Sequence, residues 1–305
     1  MPSPILAVLL AAALQQPAPD GSDSIIARAR QTLAPLTDTA ILHKAGYFAI
    51  GFGGGAKDLS PFQGQHWAHV RQFLTNAPMD LAKPTITMFL PVRDSLIPIG
   101  VAHLKRVVAN TPSPTDIGGI PAEWHVHVGC RGIPGEGQVL ADGVQDCLER
   151  GGDPAPNQIT MVHAWTVPNP DGPYAHDNPA LPFIATGLKT PHHFMRDERL
   201  FAIAIGESYG ARLITSALIE RYTTTAGKPS KLAAHRATMR GFVDELLAAE
   251  KKGDTKAYDA TKKKVLALWS TIADEYRGLA PTPQVRKRFD TELEQMLGAA
   301  HHHPG

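Results

Sequence analysis

A change of texture near His193 constrains this chain more than any other feature. Before it, short apolar runs are interrupted by Pro and Gly; after it, long stretches carry almost no breakers. The sequence holds 26 prolines and 27 glycines, most of them before residue 192. In the front part, Thr85 to Leu90, Ile99 to Val108, Ala122 to Val128 and Gln158 to Val167 are rich in β-branched residues and bounded by Pro, Gly or Asp, which predicts strands. Ala45 to Phe52 predicts a further strand ended by Gly53-Gly54-Gly55, and that glycine run is no phosphate loop because no Gly-Lys-Ser/Thr follows it. Ser24 to Leu36 reads as a short helix with Ile25, Ile26, Ala29 and Leu33 on one face, and His66 to Leu74 as another. Pro168 to Pro191, with Asp171-Gly172 inside it, reads as a long loop.

Beyond His193 the period changes to that of a helix. Asp197 to Tyr222 is broken only by Gly206 and Gly210. Leu232, Met239, Phe242, Val243, Leu246 and Leu247 recur at helical spacing, as do Val265, Trp269, Ile272 and Tyr276, then Phe289, Leu293 and Met296. Gly227-Lys228-Pro229, Gly253-Asp254 and Leu279-Ala280-Pro281 separate these helices. The expectation is an α+β fold, with an antiparallel or mixed β-sheet in the front half and an all-helical C-terminal third. A sheet-rich unit would span 24–192, a helical region 193–298 would pack on it, and 299–305 would form a disordered tail. No internal repeat is visible.

Charge narrows the function classes. With 30 basic against 29 acidic side chains the formal net charge is +1, whereas phosphate binding normally demands a clear basic excess or patch. Lys262-Lys263-Lys264 is the longest basic run and sits among helix-forming residues, so nucleic acid is not an expected partner. Ile5 to Leu14 is ten apolar residues, too short to cross a bilayer but suited to the core of a signal peptide. Residues 1–20 are accordingly read as a signal peptide, although no Lys or Arg precedes the apolar run. No later stretch has the length of a membrane span. Cys130 and Cys147 lie 17 apart around a Gly-rich segment. In an exported chain they would tend to oxidise to a disulfide; the alternative is a pair of thiolate metal ligands, a weaker reading because no Cys-x-x-Cys pair is present.

Histidine carries the chemistry. In Glu123-Trp124-His125-Val126-His127-Val128, strand alternation places Glu123, His125 and His127 on one face and Trp124, Val126 and Val128 on the other. Two imidazoles at i and i+2 are about 6 to 7 Å apart at the backbone, close enough to converge on one ion. His163, within Met161-Val162-His163-Ala164-Trp165, would complete a three-nitrogen face if its strand pairs beside the first. This His-x-His strand with a third His nearby is similar to the ligand layout of the α-type carbonic anhydrases, carried here by Trp124-His125-Val126-His127 and Val162-His163. The likeness implies zinc with an open fourth position, a site in which bound water has a pKa of about 7. It is one of site layout: the spacing between the two elements is longer, and the helical third has no place in that family. The cupin family also uses His-x-His but expects a Glu a few residues on, and Glu136 lies nine beyond His127.

Other histidines border this set. His176-Asp177-Asn178 in the Pro-rich loop offers a fourth ligand or a proton shuttle, against the plainer reading of a turn. His192 and His193 follow that loop. His66 and His69, at i and i+3 of the expected helix, could bind metal but read chiefly as surface residues. His103 reads as a hydrogen-bonded core residue, and His301 to His303 could collect metal nonspecifically.

Gly206-Glu207-Ser208-Tyr209-Gly210 matches Gly-x-Ser-x-Gly after the apolar Phe201 to Ile205, and locally looks like the nucleophile elbow of the α/β-hydrolases. That reading needs a strand before Ser208 and an acid and His after it. The same segment keeps helical spacing through Phe201, Ile205, Tyr209 and Leu213, and the residues that follow are nearly all helical.

Taken together, the residues predict an exported, periplasmic or secreted metalloprotein. His125, His127 and His163 are the expected ligands, Glu123 and His176 the expected catalytic or supporting groups, and zinc, then copper, the expected ion. A small molecule or the metal itself is the expected partner. A non-catalytic metal- or ligand-binding protein and a serine hydrolase using Ser208 are the alternatives.

Overall fold

In the structure, a computed structural model, the described residues are 24–50, 62–75, 79–80, 82–92, 95–133, 137–209, 231–280 and 282–297. The expected signal segment 1–20, the Gly53 to Gly55 loop, the tail 299–305 and residues 210–230 lie outside them. Ser24–Leu33 forms α1 and Thr39–Lys44 forms α2. The second is started by Asp38, whose carboxylate accepts from the Ile41 N–H at 2.9 Å and so satisfies one of the donors a helix start leaves open. The apolar face of α1 foreseen from Ile25, Ile26, Ala29 and Leu33 is buried.

Tyr47–Ile50 (β1) and Gln65–His69 (β2) are strands, and Val70–Thr75 is a short helix, α3. The helix expected from His66 is therefore split, because residues up to Ala68 are taken up by antiparallel pairing with Ile86–Val92 (β3). Ser95–Val108 (β4) follows, then the small ribbon Asp116–Ile117 (β5) and Ile120–Pro121 (β6), Trp124–Ile133 (β7) and Gly137–Ala141 (β8). Val144–Glu149 is α4, and Asp153–Trp165 is β9. One antiparallel sheet of seven strands results, in the order β1-β2-β3-β4-β9-β7-β8.

Register decides what each face carries. His66 lies opposite Met88, Met88 opposite Gly100, Gly100 opposite Trp165, and His125 opposite Met161. Since alternate residues share a face, His66, His163, His125 and His127 all project from the same side. The opposite side bears Trp67, Val101, Val162, Ala164 and Trp124, packed against α1 and α2. In a flat sheet β2 and β9, three positions apart, would be separated by about 14 Å. The rings of His66 and His163 have centroids 5.5 Å apart, so the sheet curls around the histidine-bearing face.

The long loop expected after Pro168 contains a helix, Leu181–Thr186 (α5), which is held between two cores. Leu181 packs with Met88, Met161 and Trp165 of the sheet, while Phe183 packs with Phe201 of the helical third. That third comprises Arg196–Gly206 (α6), Leu232–Lys252 (α7), Thr255–Leu279 (α8) and Pro283–Met296 (α9). Met239, Val265, Trp269, Ile272, Phe289 and Leu293 form its buried stripe, as their 3.6-residue period predicts. Among the described residues, no helix is long and apolar enough to cross a membrane.

Candidate metal centre

His125 and His127 are adjacent same-face residues of β7, with ring centroids 5.0 Å apart. His176 reaches them from the loop after β9. Its ring centroid is 4.1 Å from that of His125, and one ligand atom from each of His125, His127 and His176 can be chosen so that all lie within 4.8 Å of one another. These three side chains form a cluster that could hold a metal ion.

The loop bearing His176 is laid down almost like another strand. The Trp165 N–H donates to the Pro173 carbonyl at 2.9 Å, and the Trp165 indole N–H donates to the Ala175 carbonyl at 2.7 Å. The His176 N–H donates to Glu123 Oε2 at 3.1 Å, and the His176 carbonyl accepts from His163 Nδ1 at 2.6 Å. Asn178 donates to the Pro168 carbonyl at 3.1 Å and Asn169 to the Asp177 carbonyl at 2.8 Å. Glu123 is thus exposed and holds the backbone of His176 in place.

His163 is fully buried, with its ring centroid 4.9 Å from that of His125. It is not in the trio of close ligand atoms. Its Nδ1 is committed to the His176 carbonyl, and its Nε2 lies 3.5 Å from Nε2 of His66. The three-ring convergence expected of His125, His127 and His163 is therefore met by His125, His127 and His176, because the loop folds back over β7. His66 was the residue sequence reasoning placed worst. Read at helical spacing with His69, it sits on β2 at 2% exposure.

Partners around the trio orient it. His127 Nδ1 is 3.2 Å from Asp142 Oδ1, a carboxylate–histidine contact of the kind that fixes the tautomer of a metal ligand. Asp142 itself follows β8 directly, and the Cys130–Cys147 disulfide joins β7 to α4 beside it, with Cα atoms 5.7 Å apart. His176 Nδ1 lies 3.5 Å from Asp177 Oδ1, which also accepts from the Gln63 amide at 2.9 Å.

Electrostatics separates the rings. Burial, reinforced by the neighbouring imidazoles, pushes His125 and His163 well below the ordinary histidine value, and burial with His127 and His176 pushes His66 down to about 3. These three are neutral near pH 7. His176 goes the other way: burial opposes its charge, but Asp177, Asp142 and Glu123 together raise it to about 9. Burial likewise opposes ionisation of Asp177, yet the adjacent His176 holds its carboxyl well below the usual range.

One feature of the trio suits a metal ion. Both ring nitrogens of His125 are buried and have no hydrogen-bond partner among the described residues. Such a group normally costs about 1 to 3 kcal/mol when left unsatisfied, and a cation on one nitrogen would satisfy one of the two.

The serine motif stands elsewhere. Phe201 to Ile205 lies inside α6, and Ser208 is on the single 3-10 turn Glu207–Tyr209 that continues it. The strand that a nucleophile elbow requires before the serine is a helix here.

No protein-family model, no curated protein and no solved structure matches this chain, and what it does is read from these side chains alone.

Proposed function

We propose that this protein is an exported metal-binding protein whose ion, zinc first and copper second, is held by His125, His127 and His176. The observation that carries the reading is the pair of buried nitrogens on His125 that have no hydrogen-bond partner among the described residues, at the meeting point of three other imidazole rings. Imidazole donors suit both ions. An ion held by three imidazoles with a position left open supplies Lewis-acid chemistry to a small-molecule partner. Around it, Asp142 orients His127, Glu123 fixes the loop of His176, and His163 packs against His125. Export to the periplasm or beyond is supported by the Cys130–Cys147 bridge, since disulfides persist mainly in oxidising compartments.

The test is elemental analysis after zinc loading, on protein purified without affinity histidines and lacking His301 to His303. The expected result is bound zinc that falls by one equivalent in both His127→Ala and His176→Ala. Protein that takes up no zinc, or variants that keep the full content, would overturn the reading.

A further inference from the structure

Three carboxylates border the trio, and each touches one of its members. Asp142 Oδ1 is 3.2 Å from His127 Nδ1, Asp177 Oδ1 is 3.5 Å from His176 Nδ1, and Glu123 Oε2 accepts from the His176 N–H at 3.1 Å. The same three carry the charges that act most strongly on the His176 ring. The cations that reach this side of the site are already matched. Arg288 of α9 acts on Asp142, but its Nε donates to Glu292 Oε1 at 2.8 Å. Arg150, at the end of α4, acts on Glu292 and donates to Asp146 Oδ2 at 3.1 Å. These two arginines and their two carboxylates contribute no net charge.

Imidazoles that hold a metal are neutral. A divalent ion at the trio therefore sets two positive charges against the negative charges of Asp142, Asp177 and Glu123, and one negative charge is left over. That surplus stands where a molecule must approach. The Asp142 side chain is 69% exposed and Glu123 is exposed as well, so both face solvent while touching the site. A site lined by charge of one sign concentrates molecules of the other sign and repels those of its own. The carboxylates lie well within a Debye length, about 8 to 10 Å at ordinary salt, of the rings they touch. Salt screens them only in part.

We propose that the open position of this metal centre selects its ligand by charge, taking an uncharged donor on a neutral or amine-bearing cationic small molecule and rejecting carboxylates and phosphates. The proposal rests on the metal-binding reading above and adds the class of molecule bound. An ammonium group beside the donor has Glu123 and Asp142 as partners, whereas a carboxylate in the same place meets like charge, a juxtaposition that works against binding.

The experiment loads the full chain lacking His301 to His303 with cobalt(II) and follows its visible absorption at pH 7.5. Three probes share one imidazole donor and differ in the charge of a short tail: 1-(3-aminopropyl)imidazole, 1-propylimidazole and 3-(imidazol-1-yl)propanoate. The aminopropyl compound is expected to bind about 3- to 10-fold more tightly than the propyl compound, and the propanoate about 3- to 10-fold more weakly. Both gaps should narrow at high salt and in Glu123→Gln, which keeps an acceptor for the His176 N–H but loses the charge. Probes of equal affinity, or a propanoate that binds most tightly, overturn the charge selection and leave the metal centre standing. Bound cobalt whose spectrum no probe changes overturns the open position and the selection with it. Cobalt that is not taken up overturns the metal-binding reading itself. Should Glu123→Gln fail to fold, the order of the three probes on the wild type decides.

Discussion

At the residue scale, His176 is the ring whose protonation must change when an ion binds. Its pKa is raised to about 9 by Asp177, Asp142 and Glu123 against the opposing effect of burial, whereas His125 and His163 are already neutral. Below pH 9 the metal therefore displaces a proton from His176, and affinity rises with pH up to that value. Calorimetry at pH 7.5 in buffers of different ionisation enthalpy is expected to show release of about one proton per ion at this trio; no release would contradict a ligand role for His176. Asp142→Ala removes the carboxylate that orients His127, and is expected to weaken zinc binding about 10- to 100-fold in a competition assay with a chromophoric chelator. The pair His125 and His127 was legible from strand alternation alone. His176 was legible as a loop histidine offering a fourth ligand or a proton shuttle, but its place beside His125 and His127 depends on hydrogen bonds with Glu123 and with β9 that no local pattern encodes. His66 was misplaced because i, i+3 spacing with His69 is equally compatible with a strand running into a helix.

At the scale of elements, the front strands were readable from their β-branched composition and their Pro and Gly boundaries, with ends displaced by a few residues. The curl of the sheet was not, since it arises from the summed twist of seven strands and from close approaches such as that at Gly100. A Cβ at Gly100 would stand 2.6 Å from Met88 Cε and 2.8 Å from the Ala164 carbonyl oxygen. The helix α5 was hidden among prolines, although Pro182 occupies its first turn, where the missing N–H costs nothing. The disulfide was legible from cysteine count and context. It closes a separation of 17 residues, and its replacement by Cys130→Ser with Cys147→Ser is expected to lower unfolding free energy by about 3 kcal/mol in urea titration. Because the bridge also holds the turn carrying Asp142 beside His127, the same variant is expected to bind zinc more weakly. Unchanged stability and unchanged zinc affinity would detach the bridge from the site.

At the scale of the whole molecule, the helical third supports the site from behind. Arg199 of α6 is mostly buried and donates to both carboxylate oxygens of Asp171, one at 2.7 Å, which ties the loop of His176 to the helices. Helical periodicity foretold the helices but not this tether. Buried histidines distributed over both sheet faces also set the pH response. His103, on the face opposite the metal centre, is lowered by burial from 6.5 to about 4, with Asp80 opposing. As pH falls below 6.5 the unfolded chain takes up a proton at this position that the folded chain refuses. The contribution of this group to the stability of the metal-free protein should therefore be complete above pH 6.5 and fall by about 1.4 kcal/mol per pH unit between 6.5 and 4. Thermal melts across that window are expected to show the loss, and His103→Leu to reduce its slope; parallel profiles would contradict the assignment.

Diffraction from crystals of the zinc-loaded protein, collected at the zinc absorption edge, bears most directly on the metal centre. The expected result is an anomalous peak about 2.0 to 2.1 Å from one ring nitrogen each of His125, His127 and His176. A peak bound only to His301 to His303, or none near β7, would contradict it.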